Sequence, residues 1–224
     1  MYFHGGPASQ FKPKFVTTFQ YYLKEGYMVV APNVRGSRGY GQKFMDMDNY
    51  KKRMDSVKDG KAVMDDLIKN NLSEKDNFIT YGGSYGGFMA VSSMVEYPDN
   101  YKCGINSVGV VNFYNFLKNT KSYRRKIREV EYGPLTDAKF LKSVSPSNKV
   151  DRIKGSLLVI HGKNDPRVPV SEAYLLIENM KKAKKYVESI IYEDEGHNIR
   201  KMENRIDKYS KVLDFMNRCS RDEL

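Results

Sequence analysis

A mostly parallel, doubly wound α/β sheet with helices on both faces is the fold class predicted, on two observations. Short apolar β-type runs alternate with longer runs of helical character, the pattern of strands joined by crossover helices. Glycine-rich and polar loops follow the strand-like runs, where an open parallel sheet places its ligand site. A chain of 224 residues buries one substantial core, so one domain over 1–224 is expected.

In chain order, the β-type runs predict strands over Tyr2 to His4, Tyr27 to Ala31, Asn77 to Tyr81, Cys103 to Val108, Ser156 to His161 and Ser189 to Tyr192. Helices are predicted over Phe15 to Lys24, Ser56 to Asn70, Tyr85 to Glu96, Val170 to Lys182 and Lys201 to Arg218. Phe78-Ile79-Thr80-Tyr81 reads as a buried strand, and Phe88 to Val91 with Met94-Val95 as the apolar side of a helix that Tyr97-Pro98 ends. Between Asn112 and Val150 the alternation gives way to short aromatic and basic helical pieces, an insertion over the carboxyl edge of the sheet that would shape a pocket.

Composition narrows the function classes. With 40% hydrophobic and 29% charged residues the chain is globular, and no stretch has the eighteen or so apolar residues of a membrane span. No membrane partner is expected. The N-terminus lacks the pattern of a signal peptide. Cys103 and Cys219 are too few for a disulfide framework, so Cys103 is expected as a small buried thiol and the compartment as reducing and cytoplasmic. The terminal Arg221-Asp222-Glu223-Leu224 resembles an ER-retrieval tetrapeptide, but a charged tail is the preferred reading.

The net charge of +11 gathers partly in Lys118 to Arg128 and Lys181 to Lys185, both in helix-like polar runs. Solvated faces explain them, and no nucleic-acid motif surrounds them. Three histidines without metal-ligand spacing predict no metal and no cofactor.

Chemistry enters at Gly82-Gly83-Ser84-Tyr85-Gly86-Gly87. A serine between a strand and a helix in a G-x-S-x-G frame becomes an exposed nucleophile, because Gly82 and Gly86 remove Cβ atoms that would clash in a sharp turn. Other strand ends supply its partners: Gly5-Gly6 after the first, Asp165 in His161-Gly162-Lys163-Asn164-Asp165 after the fifth, and His197 in Glu195-Gly196-His197 after the sixth. Ser84, Asp165 and His197 follow one another in the chain order of the α/β-hydrolase triad. His4 and His161 are expected to be local structural donors, and Arg35 structural as well.

Five blocks carry a family resemblance: His4-Gly5-Gly6-Pro7, Asn33 to Gly41, Gly82 to Gly87, His161 to Pro169 and Glu195-Gly196-His197. In order and spacing they resemble the catalytic domain of the prolyl oligopeptidase family of serine peptidases (family S9), nearest its acylaminoacyl-peptidase and dipeptidyl-peptidase branches. The resemblance implies that Ser84 attacks a peptide or acyl carbonyl, that His197 moves its proton and that Asp165 orients His197. It implies an oxyanion hole from the backbone N–H groups of Gly6 and Tyr85. A substrate-binding role for Arg167 is implied too, with a surface charge as the alternative. Tyr85, Val168, Val110, Phe113 and Phe116 would line the pocket for the residue before the scissile bond, unless they are simply core.

The family normally carries two further strands, the beginning of the oxyanion strand and a large β-propeller before the His-Gly-Gly-Pro block. Their absence would leave Tyr27 to Ala31 as an uncovered edge, open to pairing with a partner, with oligomeric state undetermined. The chain is then expected to be a fragment of a longer peptidase, a mis-started frame or a truncated product. Three functions stay open: a serine peptidase of short or N-acylated peptides, a broad carboxylesterase or acyl hydrolase, and an inactive remnant.

Overall fold

Alternation along the strands explains how one sheet buries both faces. In the computed structural model, which describes residues 1–224, Leu157 and Val159 pack to one side of the strand Ser156–Gly162 while Leu158 and Ile160 pack to the other. This strand, β4, is buried along its whole length. With β1 (Tyr2–Phe3), β2 (Phe78–Gly83), β3 (Tyr101–Ser107) and β5 (Val187–Tyr192) it forms a five-stranded sheet in the order β1-β2-β3-β4-β5. Every neighbouring pair is parallel.

The helices form layers on both sides, as expected. On one face lie α3 (Arg53–Lys69), α4 (Tyr85–Glu96) and α8 (Ser171–Lys182), through Met64, Met94 and Leu176. On the other lie α1 (Thr17–Lys24) and α9 (Met202–Ser220), through Tyr22, Phe215 and Met216. α2 (Gln42–Met45) and two 3₁₀ turns, Asp46–Asp48 and Tyr50–Lys52, lead into α3. The helical pieces expected after β3 are α5 (Phe113–Asn119), α6 (Ser122–Tyr132), α7 (Ala138–Ser143) and the 3₁₀ stretch Pro146–Arg152.

A buried carboxylate ties this insertion to the sheet layer. Glu172, 1% exposed in the first turn of α8, accepts the backbone N–H groups of Val111 and Asn112, each at 2.8 Å. Burial pushes its carboxyl up to about 7 against the opposing pull of those hydrogen bonds.

Two expectations are corrected. Tyr27 to Ala31 forms no strand: its one backbone tie to β1 is the Tyr2 N–H donating to the Val30 carbonyl at 2.7 Å, too little for a ladder. Nor is Cys103 a free thiol. It is buried in β3 and joined in a disulfide to Cys219 near the end of α9, 116 residues away. Such bonds persist in oxidising surroundings, so the cysteine count no longer argues for a reducing compartment. No helix is long and apolar enough to cross a membrane.

Candidate active site

Ser84 stands where β2 turns into α4, with φ 58° and ψ −121°, a conformation that non-glycine residues adopt only under local constraint. The constraint is close backbone packing. A Cβ on Gly82 would lie 1.9 Å from the Gly86 carbonyl oxygen, and one on Gly86 would lie 2.1 Å from the Phe3 carbonyl oxygen. The Ser84 N–H is fixed to the Ser107 carbonyl at 2.9 Å, pinning the turn to β3. Tyr85, the first residue of α4, has no backbone acceptor for its N–H; neither does Gly6, held at φ 130° in the loop after β1.

Asp165 follows β4 and is saturated with donors. Oδ1 accepts from the N–H groups of Arg167 at 2.8 Å and Val168 at 3.0 Å, while Oδ2 accepts from His197 Nδ1 at 2.7 Å. His161 Nε2 lies 3.5 Å from Oδ2 and donates to the Val168 carbonyl at 2.9 Å. Burial acts to raise the Asp165 carboxyl, but these hydrogen bonds outweigh it and hold the group well below the usual carboxylate range. With Nδ1 of His197 committed to the carboxylate, Nε2 is the ring nitrogen left for substrate chemistry.

The loop bearing His197 is clamped from two sides. A Cβ on Gly162 would meet the Gly196 carbonyl oxygen at 2.2 Å, and the Asn164 N–H donates to the Glu195 carbonyl at 2.9 Å. Buried Glu195 accepts from the N–H groups of Arg200 at 3.0 Å and Lys201 at 2.9 Å, joining the loop to the start of α9. Ser84 and His197 then line one cavity of about 450 Å³, with Gly5, Gly6 and Arg167. His4 is bonded to the Gly5 carbonyl and the Ser37 hydroxyl, and Arg35 pairs with Asp59 at 2.6 Å, local roles of the kind expected. No cluster of three or more His, Cys, Asp or Glu side chains is arranged to hold a metal ion.

The expected specificity residues come together, but not as an open pocket. Tyr85, Val110, Phe113, Phe116 and Val168 belong to one apolar cluster beside Ser84 and are 1–4% exposed. None of them lines the cavity with Ser84; Phe116 lines a neighbouring one. The packing is tight because the Tyr85 ring stacks near Phe88, and Phe88 near Phe113, with centroids 5.4 and 4.8 Å apart.

Sequence reasoning missed a buried polar group behind Ser84. The Tyr85 hydroxyl lies 3.1 Å from Asp48 Oδ2, 3.0 Å from an Arg53 guanidinium nitrogen and 2.9 Å from Ser56 Oγ. Arg53 is 1% exposed, paired to Asp48, and donates to the Glu131 carbonyl at 2.6 Å. Its guanidinium lies 5.1 Å from the Tyr85 ring centroid and 4.9 Å from that of Tyr132. Asp48 and Arg53 sit in a stretch rich in charge, where nothing in the residue pattern separates a buried pair from exposed ones.

Comparison with known proteins points to one family. The sequence profile of the prolyl oligopeptidase family (Peptidase_S9) matches residues 13–223. Dipeptidyl aminopeptidase BIII of Pseudoxanthomonas mexicana is 29% identical over 225 residues, covering 96% of this chain and 32% of that protein. The human acylamino-acid-releasing enzyme is 25% identical over 94% of this chain and 30% of its own. Among solved structures, a puromycin-hydrolyzing peptidase of Mycobacterium tuberculosis superposes with a TM-score of 0.92 at 22% identity, over 97% of this chain and 33% of that one. The chain thus spans about a third of the length of the curated relatives it matches.

Proposed function

This chain belongs to the prolyl oligopeptidase family of serine peptidases, and from that premise we propose that it forms the catalytic domain of a peptidase acting on short or N-acylated peptides through an acyl-enzyme. Ser84 Oγ attacks the scissile carbonyl, and His197 Nε2 takes its proton and returns it to the leaving amine. Asp165 holds the tautomer and stabilises the imidazolium. The N–H groups of Gly6 and Tyr85 receive the oxyanion. Water then repeats the sequence to release the acyl group.

The observation that carries this reading is the 2.7 Å contact from His197 Nδ1 to Asp165, with His197 lining the same cavity as the positive-φ serine. Ser84 and His197 share that cavity without a direct hydrogen bond, as nucleophile and base often do before substrate aligns them. The apolar cluster of Tyr85, Val110, Phe113, Phe116 and Val168 supports an apolar residue before the scissile bond, admitted by rearrangement of side chains now in contact.

A fluorophosphonate probe tests the nucleophile. Labelling of the folded protein, abolished by Ser84→Ala, is expected; absence of labelling sinks the enzyme reading. Turnover of N-acetyl-peptide anilides is expected alongside p-nitrophenyl esters. Turnover of esters alone would favour the broad acyl hydrolase.

A further inference from the structure

The basic run Lys118 to Arg128 has no part in the chemistry above, yet the structure brings it to the active site. It forms the end of α5 and most of α6, and α6 faces the turn that follows Asp165. Between them is a cavity of about 350 Å³ lined by the cations Lys121, Arg124, Arg128 and Arg167 and by Pro166 and Pro169. Arg167 also lines the cavity containing Ser84 and His197, so one side chain borders both spaces.

Several cations gathered around one cavity, without counter-charge in its lining, set this wall apart. Some helix cations elsewhere are offset one turn away, as in Lys61 with Asp65, Lys182 with Glu178 and Lys211 with Asp207. Here no acidic residue lines the cavity, and of the four cations only Arg128 has a carboxylate partner, Glu131 at 3.3 Å. Asn119, Thr120 and Tyr123 add neutral hydrogen-bonding groups.

The wall is also held in place. Arg125 donates to the carbonyls of Leu117, Lys118 and Thr120, which closes the α5–α6 corner. Tyr132, buried at the end of α6, packs edge-on to Phe116 with centroids 6.1 Å apart. Convergent cations without counter-charges, on a braced support, favour an anionic ligand held by charge-assisted hydrogen bonds.

We propose that this cavity is a substrate subsite for a carboxylate, so that the peptidase prefers peptides bearing a negative charge near the scissile bond. The proposal rests on the peptidase reading for what the ligand is. The carboxylate has two possible sources, an acidic side chain on the acyl side or the C-terminus on the leaving side.

Calorimetric titration of Ser84→Ala protein, which cannot turn its ligand over, separates these sources with three peptides. They are acetyl-Gln-Ala-Ala-amide, its Glu counterpart, and acetyl-Gln-Ala-Ala with a free C-terminus. One acidic peptide is expected to bind about tenfold more tightly than the neutral one at low salt, with the advantage shrinking as ionic strength rises. Which one does so identifies the source. Adding Arg124→Gln and Arg128→Gln should remove the preference and leave the neutral peptide's affinity unchanged. Arg124→Gln alone, at an exposed site without an ion-pair partner, should halve the preference or more and covers the case of a misfolded double variant.

Equal affinity for all three peptides, no binding of any at millimolar concentration, or a preference that survives the substitutions overturns the proposal. The peptidase reading fails separately, if wild-type protein cleaves none of the peptides and takes no fluorophosphonate label. Tighter acidic binding with neither cleavage nor labelling would leave a carboxylate site standing and remove the peptidase.

Discussion

The two flanks of Ser84 are built very differently. On the β4 side, Asp165 takes hydrogen bonds from two backbone N–H groups and His197, and the histidine's loop is braced by Asn164 and, through Glu195, by the start of α9. On the β1 side, the strand leading to Gly6 has two residues and lies beside an apolar groove of about 500 Å³ lined by Met28, Val29 and Val30. Met28 is 55% exposed. The contrast is one of means: Asp165 and His197 are placed by polar saturation, the end of β1 by close backbone contact with Gly86.

The sharpest way to break the comparison is at the saturated flank. Asp165→Asn should cut kcat by about 10⁴-fold while leaving the fold intact, because the amide favours the wrong histidine tautomer. Steady-state kinetics with a thermal melt would check both halves, and unchanged activity would refute the choice of acid. Next in size is the support behind Ser84. Arg53→Met leaves Asp48 buried without its cation and should destabilise the protein by about 3–5 kcal/mol in urea unfolding. Replacing Asp48 by Leu in the same chain should recover much of that loss.

The thin flank is tested by Gly6→Ala, whose Cβ would lie 2.8 Å from the backbone nitrogens of Ala8 and Ser9 at a φ unfavourable to alanine. The displaced N–H should lower kcat by about 10²–10³-fold. An equal loss of melting temperature would show that the loop serves stability rather than the oxyanion.

The smallest effect concerns Glu172. Its folded pKa, about 7, lies above its unfolded value, so its stabilising contribution is full below about 4.3 and declines as pH rises towards 7. Glu172→Gln keeps an acceptor without the titration. Relative to wild type, the variant should therefore gain up to about 3 kcal/mol between pH 4 and pH 8, measured by urea unfolding at each pH.

Much of this was legible from local pattern. β2 to β5 announce themselves through apolar runs, and the loops after them carry Ser84, Asp165 and His197, since a parallel sheet gathers strand ends at one edge. The remainder depends on distance in the chain. The Cys103 disulfide joins residues 116 apart, and two cysteines carry no signal of pairing. The Arg53 cluster draws on α3, the turn before it, α4 and the α6 end, so its burial is a product of packing alone. Tyr27 to Ala31 has strand-like residues, but a strand is defined by its partner, and a single hydrogen bond to β1 does not make one.

The disulfide also has a mechanical consequence. Cys219 lies at the last turn of α9 and Cys103 in the middle of the sheet, so a load applied at Leu224 passes into β3 after only a few residues. With the bond intact, pulling cannot peel α9 from its end, and the loop bearing His197, just ahead of that helix, is shielded from the tension. Reduction would reroute the same force along α9 towards His197.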